Sequence, residues 1–252
     1  MTMRLAIYAA PGTGSADAAG ALLRDTAERW LGRSVSGDPV APGVPAGWTR
    51  ESIDVITTDA RRYGFHGTLK APFHLAEGRT LEELDASVAR FAAGHAGVVI
   101  PRLSLVRMSG FFALVPGTRA PGLHALADEV VKDFDGFRAP ATDPELARRN
   151  RGPLTPRQRE LLEAWGYPYV LDEFRFHLTL TERIPPDRQP EVERVLADWF
   201  AGSLGAAVPV DALALFTEAE PGAPFMLHAV HPLQHATSSM SAASTTDQEG
   251  AR

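Results

Sequence analysis

Two stretches of the chain carry one short pattern, Tyr63-Gly64-Phe65-His66-Gly67-Thr68-Leu69-Lys70 and Phe174-Arg175-Phe176-His177-Leu178-Thr179-Leu180-Thr181. They align without a gap as aromatic, x, Phe, His, x, Thr, Leu, with the two histidines 111 residues apart. In an extended strand alternate side chains share a face. Phe65 and Leu69 then point one way and His66, Thr68 and Lys70 the other. In the second copy Phe174, Phe176, Leu178 and Leu180 form the apolar face, with Arg175, His177, Thr179 and Thr181 opposite. Two such strands, apolar behind and His-x-Thr in front, would bring two imidazoles to one substrate. Histidine suits paired proton transfer because its unperturbed pKa of about 6.5 leaves both forms populated near neutrality.

A lone strand histidine is more often a surface or hydrogen-bonded structural residue, and His74, His95, His124, His228, His231 and His235 are read that way. Two His-x-Thr copies, each preceded by Phe and followed by Leu at the same spacing, argue against coincidence. Zinc is the other chemistry that imidazoles serve. The chain has no Cys, neither motif has a second His one helical turn away, and neither triplet holds a carboxylate. Threonine hydroxyls beside histidines suit an anion better than a metal, so neither metal nor cofactor is expected.

These motifs resemble those of the two-histidine (2H) phosphoesterase superfamily, defined by two His-x-Thr/Ser motifs on two related lobes. The likeness extends to the branch associated with phosphonate metabolism through Leu5-Ala6-Ile7-Tyr8-Ala9-Ala10-Pro11, Arg62 to Phe73, Phe137-Arg138-Ala139-Pro140, Leu154 to Arg159, Trp165-Gly166-Tyr167-Pro168-Tyr169 and Phe174 to Thr181. Gly67 departs from it, standing where that branch is expected to carry Ala. The resemblance implies an α+β bilobal fold. Two antiparallel sheets would be related by a pseudo-twofold axis, with helices packed outside and a central cleft. It also implies a metal-independent cyclic phosphodiesterase acting on a small phosphorylated ribose cyclic phosphate in phosphonate catabolism. The alternatives are a 2′,3′-cyclic phosphodiesterase for nucleotides or RNA ends, and a non-catalytic protein that binds a sugar phosphate or nucleotide.

Opening a cyclic phosphodiester needs a base for water on one side of phosphorus and an acid for the departing alkoxide on the other. His66 and His177 are assigned that pair, with their order left open. Thr68 and Thr179, on the same faces as their histidines, are placed to donate to the non-bridging oxygens. Lys70 and Arg175 are candidates for cationic support, Tyr8 and Tyr63 for lining the cleft, and Arg149 for meeting a phosphate. Arg149 belongs to the basic run Arg148-Arg149-Asn150-Arg151, followed by Arg157 and Arg159. The competing reading of that run is a solvated helix end and loop, and whether residues 143–159 close over a substrate is left open.

Hydrophobic content of 44% and charged content of 22% are ordinary for a globular protein. A net charge of −6 argues against a long nucleic acid as partner. No apolar run approaches the length of a membrane span, and no leader peptide is evident. With no cysteine the expected setting is cytoplasmic.

The alternation of Leu5 and Ile7 with Arg4, Ala6 and Tyr8 reads as a first strand. Ser15 is a candidate cap for a helix carrying Leu22, Leu23, Ala27 and Trp30, and residues 32–48 read as irregular. Thr80 and Thr155 open capping-box helices. A hairpin is expected around Ser109-Gly110, helices at 50–59, 120–134 and around Val192 to Trp199, and closing strands at 208–217 and 224–231. Residues 1–233 are read as one bilobal domain and 234–252 as a disordered tail.

Overall fold

Arg4–Ala9 forms strand β1, buried on both faces, in a computed structural model that describes residues 3–14, 17–142, 145 and 152–234. Leu5, Ile7 and Ala9 enter the main core, whereas Ala6 and Tyr8 join a smaller cluster with Phe216 and Phe225 on the opposite face. The alternation read from the sequence thus separates a packing face from a functional one.

The elements that follow are α1 (Ala18–Leu31), α2 (Arg50–Ile56), α3 (Thr58–Tyr63), β2 (Gly67–Phe73), α4 (Leu81–Gly94), β3 (Val98–Ile100), β4 (Leu103–Met108), β5 (Phe111–Pro116) and α5 (Pro121–Asp133). After these come α6 (Pro156–Trp165), β6 (Leu178–Thr179), α7 (Gln189–Trp199), β7 (Val208–Val210), β8 (Ala212–Glu218) and β9 (Met226–Pro232). The fold is α+β with antiparallel sheets. Seven strands run in the order β4-β5-β6-β2-β1-β8-β9, and β3 pairs with β7 apart from them. The long sheet has two halves, β2-β1-β8-β9 and β6-β5-β4, that meet where Gly67 pairs with Leu178. Each half contributes its innermost strand, and each innermost strand carries a His-x-Thr motif.

The helices form where the sequence gives them ends and an apolar stripe. Thr80 and Thr155 both close capping boxes, with Glu83 and Gln158 respectively. α1 is capped by Asp17, and Ser15 lies outside the described residues. Leu23, Ala27, Trp30 and Leu31 face the core, whereas Leu22 is exposed. Trp30 donates its indole N–H to the Leu180 carbonyl at 2.9 Å, tying α1 to the second motif strand. Ser109 and Gly110, with φ of 48° and 92°, make the turn between β4 and β5, a left-handed pair suited to a tight hairpin. The tail from 235 onward lies outside the described residues, while Gln234 bridges to Ala96. Among the described residues no helix is long and apolar enough to cross a membrane.

Candidate active site

The register at the centre of the sheet brings the motifs together. Gly67 opposes Leu178 in an antiparallel pair. Carried one residue either way, that register sets His66 opposite Thr179 and Thr68 opposite His177. The charge of His177 reaches the His66 ring, and the imidazole–hydroxyl contact at the site lies within the first motif, between Thr68 and His66.

Both histidines are fixed in the same way. His66 Nδ1 lies 2.9 Å from the Gly64 carbonyl, and His177 Nδ1 lies 2.8 Å from the Arg175 carbonyl. A carbonyl can only accept, so Nδ1 carries the proton in each ring and Nε2 is left for chemistry. Thr68 Oγ1 stands 3.3 Å from His66 Nε2 and donates to it when that nitrogen is unprotonated. The Gly64 carbonyl is delivered by the end of α3, where Gly64 adopts φ 77° and a Cβ would strike Val35.

A cleft of about 780 Å³ opens on this face, with Tyr8, His66, Thr68 and Thr179 in its walls. Phe111 also lines it, with its ring 5.8 Å from that of His177, which is half-buried and is not itself among the lining residues. Burial against Tyr8 and its neighbours pulls the His66 pKa down to about 4; the Gly64 hydrogen bond opposes this, and the His177 charge adds to it. His66 keeps a partial opening to the cleft, and its neutral form is the one the site favours. Burial pushes the Tyr8 phenol well above its ordinary range, so its hydroxyl keeps its proton.

The remaining sequence candidates divide. Tyr63 lines the cleft and stacks on Phe225 at 5.0 Å. Lys70 does not support it, because β2 is bulged. Tyr8 opposes Thr68 and Ile7 opposes Lys70, so one step along β1 spans two along β2. The extra residue turns Lys70 onto the core side, where its ammonium donates to Val131 O at 3.1 Å and Asp135 at 3.3 Å. Burial there lowers its pKa to about 8. Arg175 is exposed and precedes the paired part of β6; it serves His177 through its carbonyl, not its guanidinium. Thr181 is buried and accepts from Phe112 N while donating to Glu182 O. Arg149 lies outside the described residues, and Arg157 is engaged by Asp172 at 2.7 Å and Glu160 at 3.1 Å.

Several cleft residues escaped the sequence reading. Glu218, fully buried at the end of β8, accepts from Arg4 and, at 3.0 Å, from Arg62, and both arginines line the cleft. Burial raises its pKa, but the Arg4 hydrogen bond, the Gly222 N–H and the two cationic charges prevail and hold it below the usual carboxylate range. Arg183, exposed, and Tyr167 complete the lining. Among the described residues no three His, Asp or Glu side chains are grouped to hold a metal ion.

The family described as "Protein of unknown function (DUF1045)" matches residues 68–226. The chain belongs to this family. Two curated proteins similar to it are both named ribose 1,5-bisphosphate phosphokinase PhnN. That of Janthinobacterium sp. (strain Marseille) is 41% identical over 207 residues, covering 78% of this chain and 45% of that protein. That of Laribacter hongkongensis (strain HLHK9) is 35% identical over 226 residues, covering 89% of this chain and 50% of that protein. The chain thus spans about half the length of the curated relatives it matches. Among solved structures, E. coli LigT complexed with 3′-AMP is similar at a TM-score of 0.43 and 15% identity, covering 93% of this chain and 100% of that one. A structure described as a phosphoesterase gives a TM-score of 0.44 at 14% identity, covering 93% and 100%.

Proposed function

We propose that this DUF1045 protein is a cyclic phosphodiesterase that opens the 1,2-cyclic phosphate of a 5-phosphorylated ribose. It would work by paired-histidine acid–base catalysis without a metal, in phosphonate catabolism. The observation that carries the reading is the meeting of the two motifs at the centre of the sheet, where Gly67 pairs with Leu178 and both imidazoles are held as Nδ1–H tautomers. His66, favoured as the neutral ring, takes the base role. Water attacks phosphorus as its proton passes to His66 Nε2, the bond from phosphorus to O2 breaks, and O2 takes a proton from His177 Nε2. The product has a phosphomonoester at C1 and a hydroxyl at C2, and exchange with solvent resets the two rings. Thr68 and Thr179 donate to the non-bridging oxygens, where transition-state charge gathers.

The relatives' printed name supports this choice of substrate. Opening 5-phosphoribosyl 1,2-cyclic phosphate at O2 gives ribose 1,5-bisphosphate, the compound named in ribose 1,5-bisphosphate phosphokinase. A second reading, a 2′,3′-cyclic phosphodiesterase on nucleotides or RNA ends, is favoured by the aromatic lining of Tyr63, Phe111 and Tyr167, on which a base could stack.

A product-resolved phosphorus NMR assay in EDTA tests both. Wild type and His177→Ala are given 5-phosphoribosyl 1,2-cyclic phosphate and 2′,3′-cyclic AMP. Turnover of the ribose compound, lost in the variant, supports the proposal. Turnover of the nucleotide alone moves the assignment to the second reading. Binding of either without turnover by the wild type makes the chain a sensor and sinks the catalytic reading.

A further inference from the structure

The Arg4–Glu218–Arg62 group is more than the two motifs need. Arg4 and Glu218 are register partners on β1 and β8. Glu218 spends one carboxylate oxygen on Arg4 and the other on Arg62 and the Gly222 N–H, at 3.0 Å each. One arginine would neutralise it; with two, the trio itself is positive, and Asp59, which pairs with Arg62 in the same cleft wall, offsets part of that charge from its exposed side. Neither guanidinium spends its whole fork on the carboxylate. Arg62 also reaches Asp59, at 3.4 Å through two nitrogens, and both guanidiniums interact with the Tyr63 side chain; Asp59 is largely exposed. The aromatic faces of Phe225 and Tyr63 lie 5.5 Å from Arg4 and 4.3 Å from Arg62 and hold the two groups in place. A planar donor fork fixed from behind by a buried carboxylate suits a phosphate.

A second, independent observation marks the same wall. The Tyr8 hydroxyl is buried and has no hydrogen-bond partner among the described residues. Tyr8 lines the cleft, and the charges of Arg4 and Glu218 reach its phenol. Leaving a buried donor unsatisfied is costly unless a ligand completes it. Tyr8 also lies against His66, so the wall begins one aromatic ring from the reacting centre. That is a separation a single sugar can span.

We infer that Arg4, Arg62 and the Tyr8 hydroxyl form a second anion subsite that takes a phosphomonoester on the substrate, apart from the phosphodiester being opened. The inference rests on the proposed function for its substrate and names the residues that select phosphorylated sugars. Arg62 is the group to vary, because Arg4 remains to neutralise Glu218. Tyr8→Phe removes the hydroxyl and keeps the ring.

The test compares kcat/KM on 5-phosphoribosyl 1,2-cyclic phosphate with that on ribose 1,2-cyclic phosphate, which lacks only the monoester, with thermal melts to check that each variant folds. Arg62→Gln is expected to lower the preference for the phosphorylated substrate about 30-fold, and Tyr8→Phe about 5-fold, as expected for lost bonds to a charged group. An equal fall on both substrates overturns the subsite and leaves the proposed reaction standing. If the wild type opens neither substrate, the proposed reaction fails, and calorimetric titration with ribose 5-phosphate decides the subsite by itself. Binding weakened about 30-fold in Arg62→Gln supports it, whereas equal or absent binding overturns it.

Discussion

The Tyr8 ring lies stacked on the His66 imidazole, with centroids 3.8 Å apart and planes 24° from parallel. Tyr8 opposes Thr68 across β1 and β2, so one strand pair supplies both the cover over the imidazole and the hydroxyl at its Nε2. The stack excludes water from one face of His66 and helps fix the ring whose Nδ1 is already held by Gly64. Position and protonation state thus have a common origin.

A neutral base loses activity as pH falls through its pKa, and kcat/KM reports the free enzyme. With His66 at about 4, the acid limb of kcat/KM is expected near that pH. In the complex the phosphate charge favours the imidazolium, so the acid limb of kcat should lie higher. Tyr8→Leu opens the covered face to water and should move the kcat/KM limb upward, toward the ordinary 6.5. A pH–rate profile with an unmoved limb would show that Tyr8 is not what shelters His66.

The same shift has a sign in stability. Folding lowers the His66 pKa from 6.5 to about 4, so between those values the unfolded chain binds more protons than the folded one. Stability then rises with pH across that window and is lost as the pH drops through it. Urea melts at several pH values should show this slope in the wild type and a shallower one in His66→Gln. Equal slopes would mean that His66 is not desolvated in the folded protein.

Thr68 and Thr179 should matter to the transition state more than to binding. Thr68→Val and Thr179→Val keep side-chain shape and remove the donor, and each is expected to lower kcat by on the order of 100-fold with little change in KM. Steady-state kinetics on the cyclic substrate measures this. Variants that keep more than about a third of kcat would remove the hydroxyls from the charge-stabilising role.

Lys70 offers the reverse case. Its ammonium is committed to Val131 O and Asp135 on the core side. Lys70→Met is therefore expected to leave kcat/KM within about threefold, since a group turned away from the reacting atoms gives no differential transition-state binding. A loss approaching that of Thr68→Val would return Lys70 to the site.

What could be read from the chain follows the range of each interaction. Strand alternation is local, so the faces of Arg4, Tyr8, His66 and Thr179 were legible, as were the capping boxes at Thr80 and Thr155. A bulge depends on the neighbouring strand, and nothing in Thr68-Leu69-Lys70 announces that Lys70 opposes Ile7. The alternation holds from Phe174 to Leu180, with Phe174, Phe176, Leu178 and Leu180 buried and Arg175 exposed, but how far the long Arg175 side chain stands from the cleft is not a matter of alternation. Glu218 was illegible for a related reason: an acidic residue at a strand end acquires its meaning only when β8 pairs with β1 and presents it to Arg4.

Gly67 stands where the two halves of the sheet meet, opposite Leu178. A Cβ there would overlap the Phe176 ring, so the Gly at this position and the Phe of the second motif are a matched pair. Phe176 is buried and β2 must stay close to β6 for the two motifs to meet. Gly67→Ala should therefore destabilise the fold by about 1–3 kcal/mol through overpacking. It should also lower kcat by pushing His66 and Thr179 apart, and Gly67→Ala with Phe176→Leu should recover part of both losses because the smaller side chain makes room. Denaturant melts and kinetics of the single and double variants measure the coupling. Strictly additive effects would mean that the two residues do not share this space.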